Sequence, residues 1–436
     1  MLTKHQSEKL AESLNILSTG NRLLISGSAG VGKTFLVNTL VKQFPNSTIV
    51  CSAPTNKAVA VLKNKVDKTN NISFITTHSA LKLKRSIDFK TGAVSFKPSY
   101  DSKYPPLREV KFLIIDEASM LNTSLLKYAE ESADKQNCKL IFLGDSKQLP
   151  PVGEEISPVF SKDFPEVELT EIIRQKGGSP IIELSRDLNL IKSKKPLQNE
   201  NGGYIFTEDY DKIINTLAFV NGTDKLKFLA YTNRKVDLIN QKVRQKIYGN
   251  PAKIEKGETL VFNAPYKDSY FTNEELLVKE VIIREKNFSF LVDIHNEKSD
   301  SVKIKYYSIN PVKVEEPLFD SKDTWTSDKK VKTLLTDDII VIHEDSEKDF
   351  EKICSFLKDK AKLAEVPWVE FYRFNEQFAD IKYNHALTVH KSQGSTFEQV
   401  IMDVRDINFN QNKEEKEKML YTAVTRASNL IILYNT

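Results

Sequence analysis

Arg22-Leu23-Leu24-Ile25-Ser26, running into Gly27-Ser28-Ala29-Gly30-Val31-Gly32-Lys33-Thr34, is the stretch that decides the fold. An apolar, β-rich run stops at a glycine-rich loop, and the loop opens into the helical pattern of Phe35–Val41. Strand, glycine loop and helix is the context that gives GxxxxGKT its meaning. Gly27, Gly30 and Gly32, with Ala29 between them, let backbone N–H groups close around phosphate oxygens, and the helix N-terminus adds favourable partial charge. Lys33 then reaches the β- and γ-phosphates and Thr34 ligates Mg²⁺. An ordinary glycine turn is the alternative; nucleotide binding is the reading adopted.

Outward from this loop, short β-rich runs alternate with helical patterns, the signature of a parallel sheet with crossover helices. Arg22–Ser26, Ser47–Ser52, Val110–Ile115 and Lys139–Leu143 are expected strands, near-continuous in apolar character as strands buried on both faces are. A second block holds a strand at Leu226–Ala230, a helix from about Arg234 to Tyr248, and late strands near Gln399–Val404 and Leu430–Tyr434. Two similar α/β layers, the second interrupted by an insertion, account for the pattern. Leu81–Arg108 reads as two short strands around a Thr91-Gly92 turn. Residues 251–377 read as an inserted module, with β-rich runs at Leu276–Ile283 and Phe288–Ile294, an exposed helix at Ser346–Ala364 and aromatics around Trp368.

Composition narrows the classes. With 436 residues, 40% hydrophobic and 28% charged, the chain has material for real cores, which excludes disorder over its whole length. It has no apolar run of the roughly 20 residues that span a bilayer and no signal core at Met1–Gln6. Cys51, Cys138 and Cys354 are too few and too scattered for a disulfide framework, and the six histidines lack metal spacing. Net charge is only +4, but it is segregated. Lys82–Pro98 holds five basic residues against one acid, Lys225–Lys256 nine against two, and Asp337–Glu351 one lysine against seven acids. Such basic stretches suit a polyanion-binding face, with solvated helix faces as the alternative.

Phe112-Leu113-Ile114-Ile115-Asp116-Glu117 delivers two carboxylates to the end of a hydrophobic strand, where ligands of open α/β sheets bind. Asp116 is placed to hold Mg²⁺, and Glu117 to orient and deprotonate an attacking water. A glutamate there argues for a hydrolase. A third strand ends in Gly144-Asp145-Ser146-Lys147-Gln148-Leu149-Pro150-Pro151. Gln148 is expected to hydrogen-bond the γ-phosphate or the water and to couple phosphate state to a neighbouring surface; a plain proline-rich loop is the alternative.

In this order, DEAS and GDxxQLPP after GxAGxGKT resemble superfamily 1 helicases, specifically the 5′→3′ branch that contains the Dda-type bacteriophage helicases (superfamily 1B). Ordered motifs in both halves carry the resemblance over nearly the whole chain. Gln6 resembles the family's adenine-reading glutamine. Pro54-Thr55-Asn56 and Thr77-His78 resemble its first strand-contacting motifs, Thr232-Asn233 a second-domain DNA contact, and Leu169–Gln175 the segment carrying a first arginine finger, here Arg174. Thr388-Val389-His390-Lys391 through Gly394, and Tyr421–Arg426, resemble the last two motifs, with Arg426 as second finger. For His78 and His390, phosphate or base contact and a satisfied structural role both remain open.

The resemblance implies two RecA-like parallel-sheet motor domains, 1A (1–80 plus 109–180) and 2A (181–250 plus 378–436). It also implies a hairpin domain 1B (81–108) with Phe96 as aromatic wedge tip, and an SH3-like β-barrel domain 2B (251–377) flanking the track. Packing of Phe96 against domain 1A is the alternative to the wedge. ATP and Mg²⁺ are the implied cofactors. The implied partners are single-stranded DNA and duplex junctions, with a single-stranded DNA-binding protein or replication and recombination proteins as further candidates. A monomer in the cytoplasm, or the host cytoplasm for a phage-encoded chain, is expected. The implied activity is ATP-driven 5′→3′ translocation with duplex unwinding. The rivals are an RNA-directed helicase, a repair motor of opposite polarity, and a nucleotide-gated single-strand binder or translocase without unwinding. One departure matters: many relatives place a base-stacking aromatic before the first finger arginine, and here that residue is Ile173, so weak base selectivity is expected.

Overall fold

The computed structural model describes residues 2–69, 71–88, 90–99, 104–171, 179–221, 225–267, 270, 272–289, 301–314, 331–332 and 338–435. They form two compact units, Met1–Leu83 with Pro98–Ile247 and His385–Thr436, and Lys84–Lys97 with Tyr248–Asn384.

The first unit is built on two parallel sheets. One runs Ile72–Thr76, Ile49–Ala53, Phe112–Ile115, Lys139–Gly144, Arg22–Gly27, Glu166–Leu169, every neighbour parallel. Its central strands are apolar along their length because helices cover both faces. Ile25, Cys51, Ile114 and Leu143 pack with Leu17, Leu36 and Leu40 of the helices Lys4–Thr19 and Lys33–Val41. Leu24, Leu113, Ile115 and Phe142 pack with Leu125 and Ala129 of the helix Thr123–Gln136. Each fully buried Leu or Ile contributes about 1.5–3 kcal/mol. Lys139–Gly144 lies between Arg22–Gly27 and Phe112–Ile115, so the glycine loop, Asp145 and Asp116 emerge side by side at one sheet edge.

The second sheet runs Ala386–Thr388, Leu226–Ala230, Phe397–Asp403, Ala427–Tyr434, Gly202–Thr207, parallel throughout, with Leu197–Asn199 antiparallel at the end. Five of these twelve strands are absent from the expected set: Ile72–Thr76, Glu166–Leu169, Leu197–Asn199, Gly202–Thr207 and Ala386–Thr388. The first two flank the first sheet and Ala386–Thr388 flanks the second. Glu166–Leu169 reads Glu-Val-Glu-Leu, with only Val167 and Leu169 buried, so it lacks the continuous apolar run of its neighbours.

In the second unit, Glu275–Ser289 and Ser301–Val314 form a long antiparallel ribbon, joined by Thr259–Phe262, Ile381–Tyr383, Val331–Lys332 and Ile339–Ile342. The two expected runs at Leu276–Ile283 and Phe288–Ile294 are one strand as far as Ser289; residues 290–294 lie outside the described residues. Ile282–Asn287 is exposed on both faces of the ribbon, so charge interrupts its apolar pattern without ending the strand. Helices Glu347–Lys362 and Trp368–Asn375 close a core of Phe288, Ile353, Leu357, Phe371 and Phe374.

The expected hairpin exists as Leu83–Ile87 and Val94–Pro98. Phe96 is not at its tip: it is an exposed residue of the returning strand, beyond the turn at Lys90–Gly92. The turn itself is held. Trp368 Nε1 donates to the Lys90 carbonyl at 3.3 Å and Tyr372 Oη to the Gly92 carbonyl at 2.6 Å. The Arg85 guanidinium pairs with Glu376 and lies 5.1 Å from the Tyr372 ring centre. Gly92 has φ +68°, and a Cβ there would stand 2.5 Å from the Trp368 indole. Gly92→Val combines a left-handed β-branched residue with that collision and should cost about 1–3 kcal/mol. Hydrogen exchange across 84–97 should quicken several-fold; unchanged protection would mean the turn is not held by this contact.

Candidate active site

The loop Gly27–Thr34 folds as its glycines require. Gly30 and Gly32 take φ of +86° and +84°, and a Cβ on Gly27 would lie 2.4 Å from the Leu169 carbonyl. Lys33 Nζ donates to the carbonyls of Gly27 (2.6 Å) and Ser28 (3.1 Å), which sets its ammonium over the loop mouth. Beside it, a cavity of about 300 Å³ is lined by Gln6, Ala29, Gly30, Gly32, Lys33, Thr34, Asp116, Glu117, Gln148, Gly394 and Arg426. Residues from six separated segments thus meet in one space. Gly27 is not among the lining residues and serves the loop's backbone, while Arg174 lies outside the described residues.

Asp116 and Glu117 occupy different environments. Asp116 Oδ1 accepts from the Glu117 N–H at 2.8 Å. Burial first, and then the charge of Glu117, push the Asp116 carboxyl up to about 6, against the opposing pull of that N–H, Lys33 and Lys65. Glu117 sits in the left-handed region, φ 53° and ψ 44°, an uncommon conformation for a residue with a side chain and one that concentrates at functional sites. Gln148 is buried and lines the same cavity, with its Oε1 free of partners among the described residues.

The next residue, Leu149, ties this wall to the second sheet. Its side chain belongs to the second sheet's core, its N–H donates to Thr422 Oγ1 (3.2 Å), and its carbonyl accepts from Gln393 Nε2 (2.8 Å). Arg426, at the end of the helix Lys413–Arg426, is 5% exposed. Its guanidinium donates to the carbonyls of Thr422 (3.2 Å) and Ser395 (3.1 Å) and to Thr425 Oγ1 (3.2 Å). Gly394, at φ +73°, comes so close to Ala58 that a Cβ would stand 3.1 Å from the Ala58 Cβ.

Tyr421 is the residue that motif reading did not single out. Its hydroxyl accepts from the Ala29 N–H of the glycine loop (3.2 Å) and donates to Asp145 Oδ2 (2.6 Å). Burial, and then Asp145, raise its pKa. The partners are 276 residues apart, so local sequence gives no signal for the pair.

The residues expected to meet DNA occupy matching places on the two sheets. Pro54, Thr55, Asn56 and His78 follow the strands Ile49–Ala53 and Ile72–Thr76; Thr232, Asn233, His390 and Lys391 follow Leu226–Ala230 and Ala386–Thr388. In both sheets these are the two strands at one side. Several threonines are already engaged. Thr77 is buried with its hydroxyl 3.4 Å from Ser52 Oγ, so its side chain shapes the strand end and does not face outward, a correction to the expected contact. Thr232 Oγ1 donates to Asp406 Oδ1 at 2.9 Å, and Thr388 Oγ1 accepts from the Lys391 N–H at 3.3 Å. His390 Nε2 lies 3.4 Å from Glu415 Oε1, with burial lowering its pKa more than that carboxylate raises it; burial also lowers His78.

The AAA domain family matches residues 1–202 and the UvrD-like helicase C-terminal domain family residues 383–434. Along the whole chain, the ATP-dependent DNA helicase Dda of Enterobacteria phage T4 is 28% identical over 93% of this chain and 92% of its own length. The ATP-dependent DNA helicase Pif1 of Campylobacter jejuni is 26% identical over 94% of this chain and 87% of its own. The chain is a homologue of the Dda and Pif1 helicases. In fold, it is similar to a Bacteroides Pif1 helicase solved with ADP-AlF3 and single-stranded DNA, at TM-score 0.50 and 15% identity, across 100% of this chain and 92% of that one. A parallel-sheet, RecA-like α/β core is common to this homologue and its structural neighbours.

Proposed function

We propose that this Dda/Pif1 homologue is an ATP-dependent DNA helicase that moves 5′→3′ along single-stranded DNA and unwinds duplexes. One observation carries the reading: loop, carboxylates and Gln148 of the first parallel sheet share a single cavity with Arg426 and Gly394 of the second. A site walled by two sheets changes its walls' spacing when the nucleotide changes, which is what a motor needs.

In this reading the N–H groups of Gly30 and Gly32 cradle the phosphates, Lys33 neutralises them, and the Ala29 N–H, held by the Tyr421 hydroxyl, shapes the loop. Thr34 and Asp116 would hold Mg²⁺, which would supply charge neutralisation at the phosphates. The donor set fits: a threonine of the helix's first turn and a buried carboxyl whose pKa is raised by its surroundings face the same cavity. Glu117 takes the proton of the attacking water, Gln148 Oε1 accepts from that water, and Arg174 and Arg426 offset charge on the γ-phosphoryl group. Pro54, Thr55, Asn56, His78, Asn233, His390 and Lys391 contact the strand without regard to sequence, positioned by Thr77, Thr232 and Thr388. We assign residues 1–80 with 109–180 and 181–250 with 378–436 to two motor domains, 81–108 to a strand-separating hairpin domain with Phe96 exposed, and 251–377 to an SH3-like domain.

The test is ATP-driven opening of duplexes bearing a 5′ or a 3′ single-stranded tail, with Lys33→Ala as the inactive control. Opening of only the 5′-tailed duplex is expected. Opening of only the 3′-tailed one would reverse the polarity, and ATP consumption with neither opened would leave a translocase or a nucleotide-gated binder.

A pH experiment examines the Mg²⁺ assignment. Asp116 is protonated below about 6 and ionised above it, so affinity for Mg²⁺·ADP should fall as pH drops from about 7.5 to about 5.5. The loss should be on the order of tenfold, and Asp116→Asn should remove that part of it, the remainder belonging to the nucleotide's own protonation. Equal slopes for the two proteins in titration calorimetry would take Asp116 out of the metal site.

A further inference from the structure

We infer that Asp406 is a positioning residue for the single strand, holding the loop Tyr231–Asn233 in its strand-contacting shape; this rests on the strand-binding reading of that loop. Leu226–Ala230 ends at Tyr231-Thr232-Asn233, and the helix Asn233–Tyr248 begins at once. Thr232 caps that helix: its Oγ1 accepts from the Lys235 N–H (3.2 Å) and its carbonyl from the Val236 N–H (3.2 Å). A capping hydroxyl keeps its own proton, and here the proton goes to Asp406 Oδ1 at 2.9 Å. Asp406 Oδ2 accepts from the N–H groups of Tyr231 and Thr232, both at 2.8 Å. One buried carboxylate, 174 residues beyond Thr232, therefore takes three bonds from two consecutive residues. Bonds to an ionised acceptor are roughly twice as strong as neutral ones.

A second carboxylate extends the support. Asp403 Oδ1 accepts from the Asp406 N–H (3.0 Å), and Asp403 Oδ2 lies 2.9 Å from the Lys235 ammonium, so the helix's first turn is held as well. The N–H groups of Tyr231 and Thr232 and the Thr232 proton are all committed to Asp406, and none of them is left for a phosphate. Contact from this loop passes to the side chains of Asn233 and Arg234, both exposed. The first sheet offers a contrast. Thr55-Asn56 repeats the Thr-Asn cap, with Thr55 Oγ1 accepting from the Ala58 N–H (3.2 Å), but no carboxylate is bonded to Thr55 among the described residues. The acidic backing therefore distinguishes the second sheet's loop from its counterpart.

Asp406→Asn keeps the side chain's size but sets an amide donor against either the Thr232 hydroxyl or the two N–H groups. The concentration of an oligo-dT strand that half-maximally stimulates ATP hydrolysis should rise on the order of tenfold, the size of one charge-assisted bond. KM for ATP at saturating oligo-dT should stay within about twofold, a split that general damage to the sheet would not produce. Thr232→Val removes the shared hydroxyl and should raise half-saturation similarly, and the double variant should add little to either single one. Unchanged half-saturation in Asp406→Asn, or KM for ATP rising in step with it, would overturn the inference. If Asp406→Asn does not fold, Thr232→Val is read against the same two outcomes. If the unaltered protein neither binds oligo-dT in fluorescence anisotropy nor is stimulated by it, the strand-binding reading itself fails, and this inference with it.

Discussion

Glu117→Gln should bind ATP with near-normal affinity and hydrolyse it about a thousandfold more slowly, the loss expected when a general base is removed from a positioned water. The substitution keeps size and hydrogen-bonding atoms, so the left-handed turn that carries Glu117 persists. It also removes the negative charge that helps to raise the Asp116 pKa, and Mg²⁺·nucleotide binding should not weaken for that reason. Single-turnover hydrolysis with DNA present is the measurement. Turnover within a few-fold of the unaltered protein would show that another group deprotonates the water.

Arg426→Lys should lower DNA-stimulated hydrolysis on the order of a thousandfold, as removal of an arginine finger does, and abolish duplex opening. Lysine keeps the charge but cannot reproduce the planar fork that reaches Thr422, Ser395 and Thr425 at once. Alanine would be a poorer probe, because Arg426 is buried and its loss removes the donor to the Ser395 carbonyl and opens a hole of side-chain size. Single-stranded DNA binding, measured by fluorescence anisotropy, should change little. Near-normal hydrolysis in Arg426→Lys would reduce Arg426 to a structural clamp on its own motif.

The candidate nucleotide cavity is legible in the sequence because its chemistry is tied to backbone geometry. Gly30 and Gly32 hold φ values that side chains resist, and Asp116 ends a strand too apolar to be anything but central. Spacing could not place Tyr421 against Asp145, since that hydrogen bond depends on how two sheets meet. Strands at sheet margins escaped because they need bury only one face, as Glu166–Leu169 does. As the aromatic beyond the Thr91-Gly92 turn, Phe96 reads from sequence as the hairpin tip. What the sequence does not display is that the turn is occupied by Trp368 and Tyr372.

Leu149 belongs to a loop of the first sheet yet completes the hydrophobic core of the second, with both of its backbone polar groups bonded there. Neither sheet with its helices is therefore a self-sufficient folding unit. A fragment ending near residue 180 would present Leu149 to water with its N–H and carbonyl unsatisfied, and the complementary fragment would carry a hole of leucine size. Heat should thus melt the two sheets in one cooperative transition, even though they are separate layers of hydrogen-bonded structure.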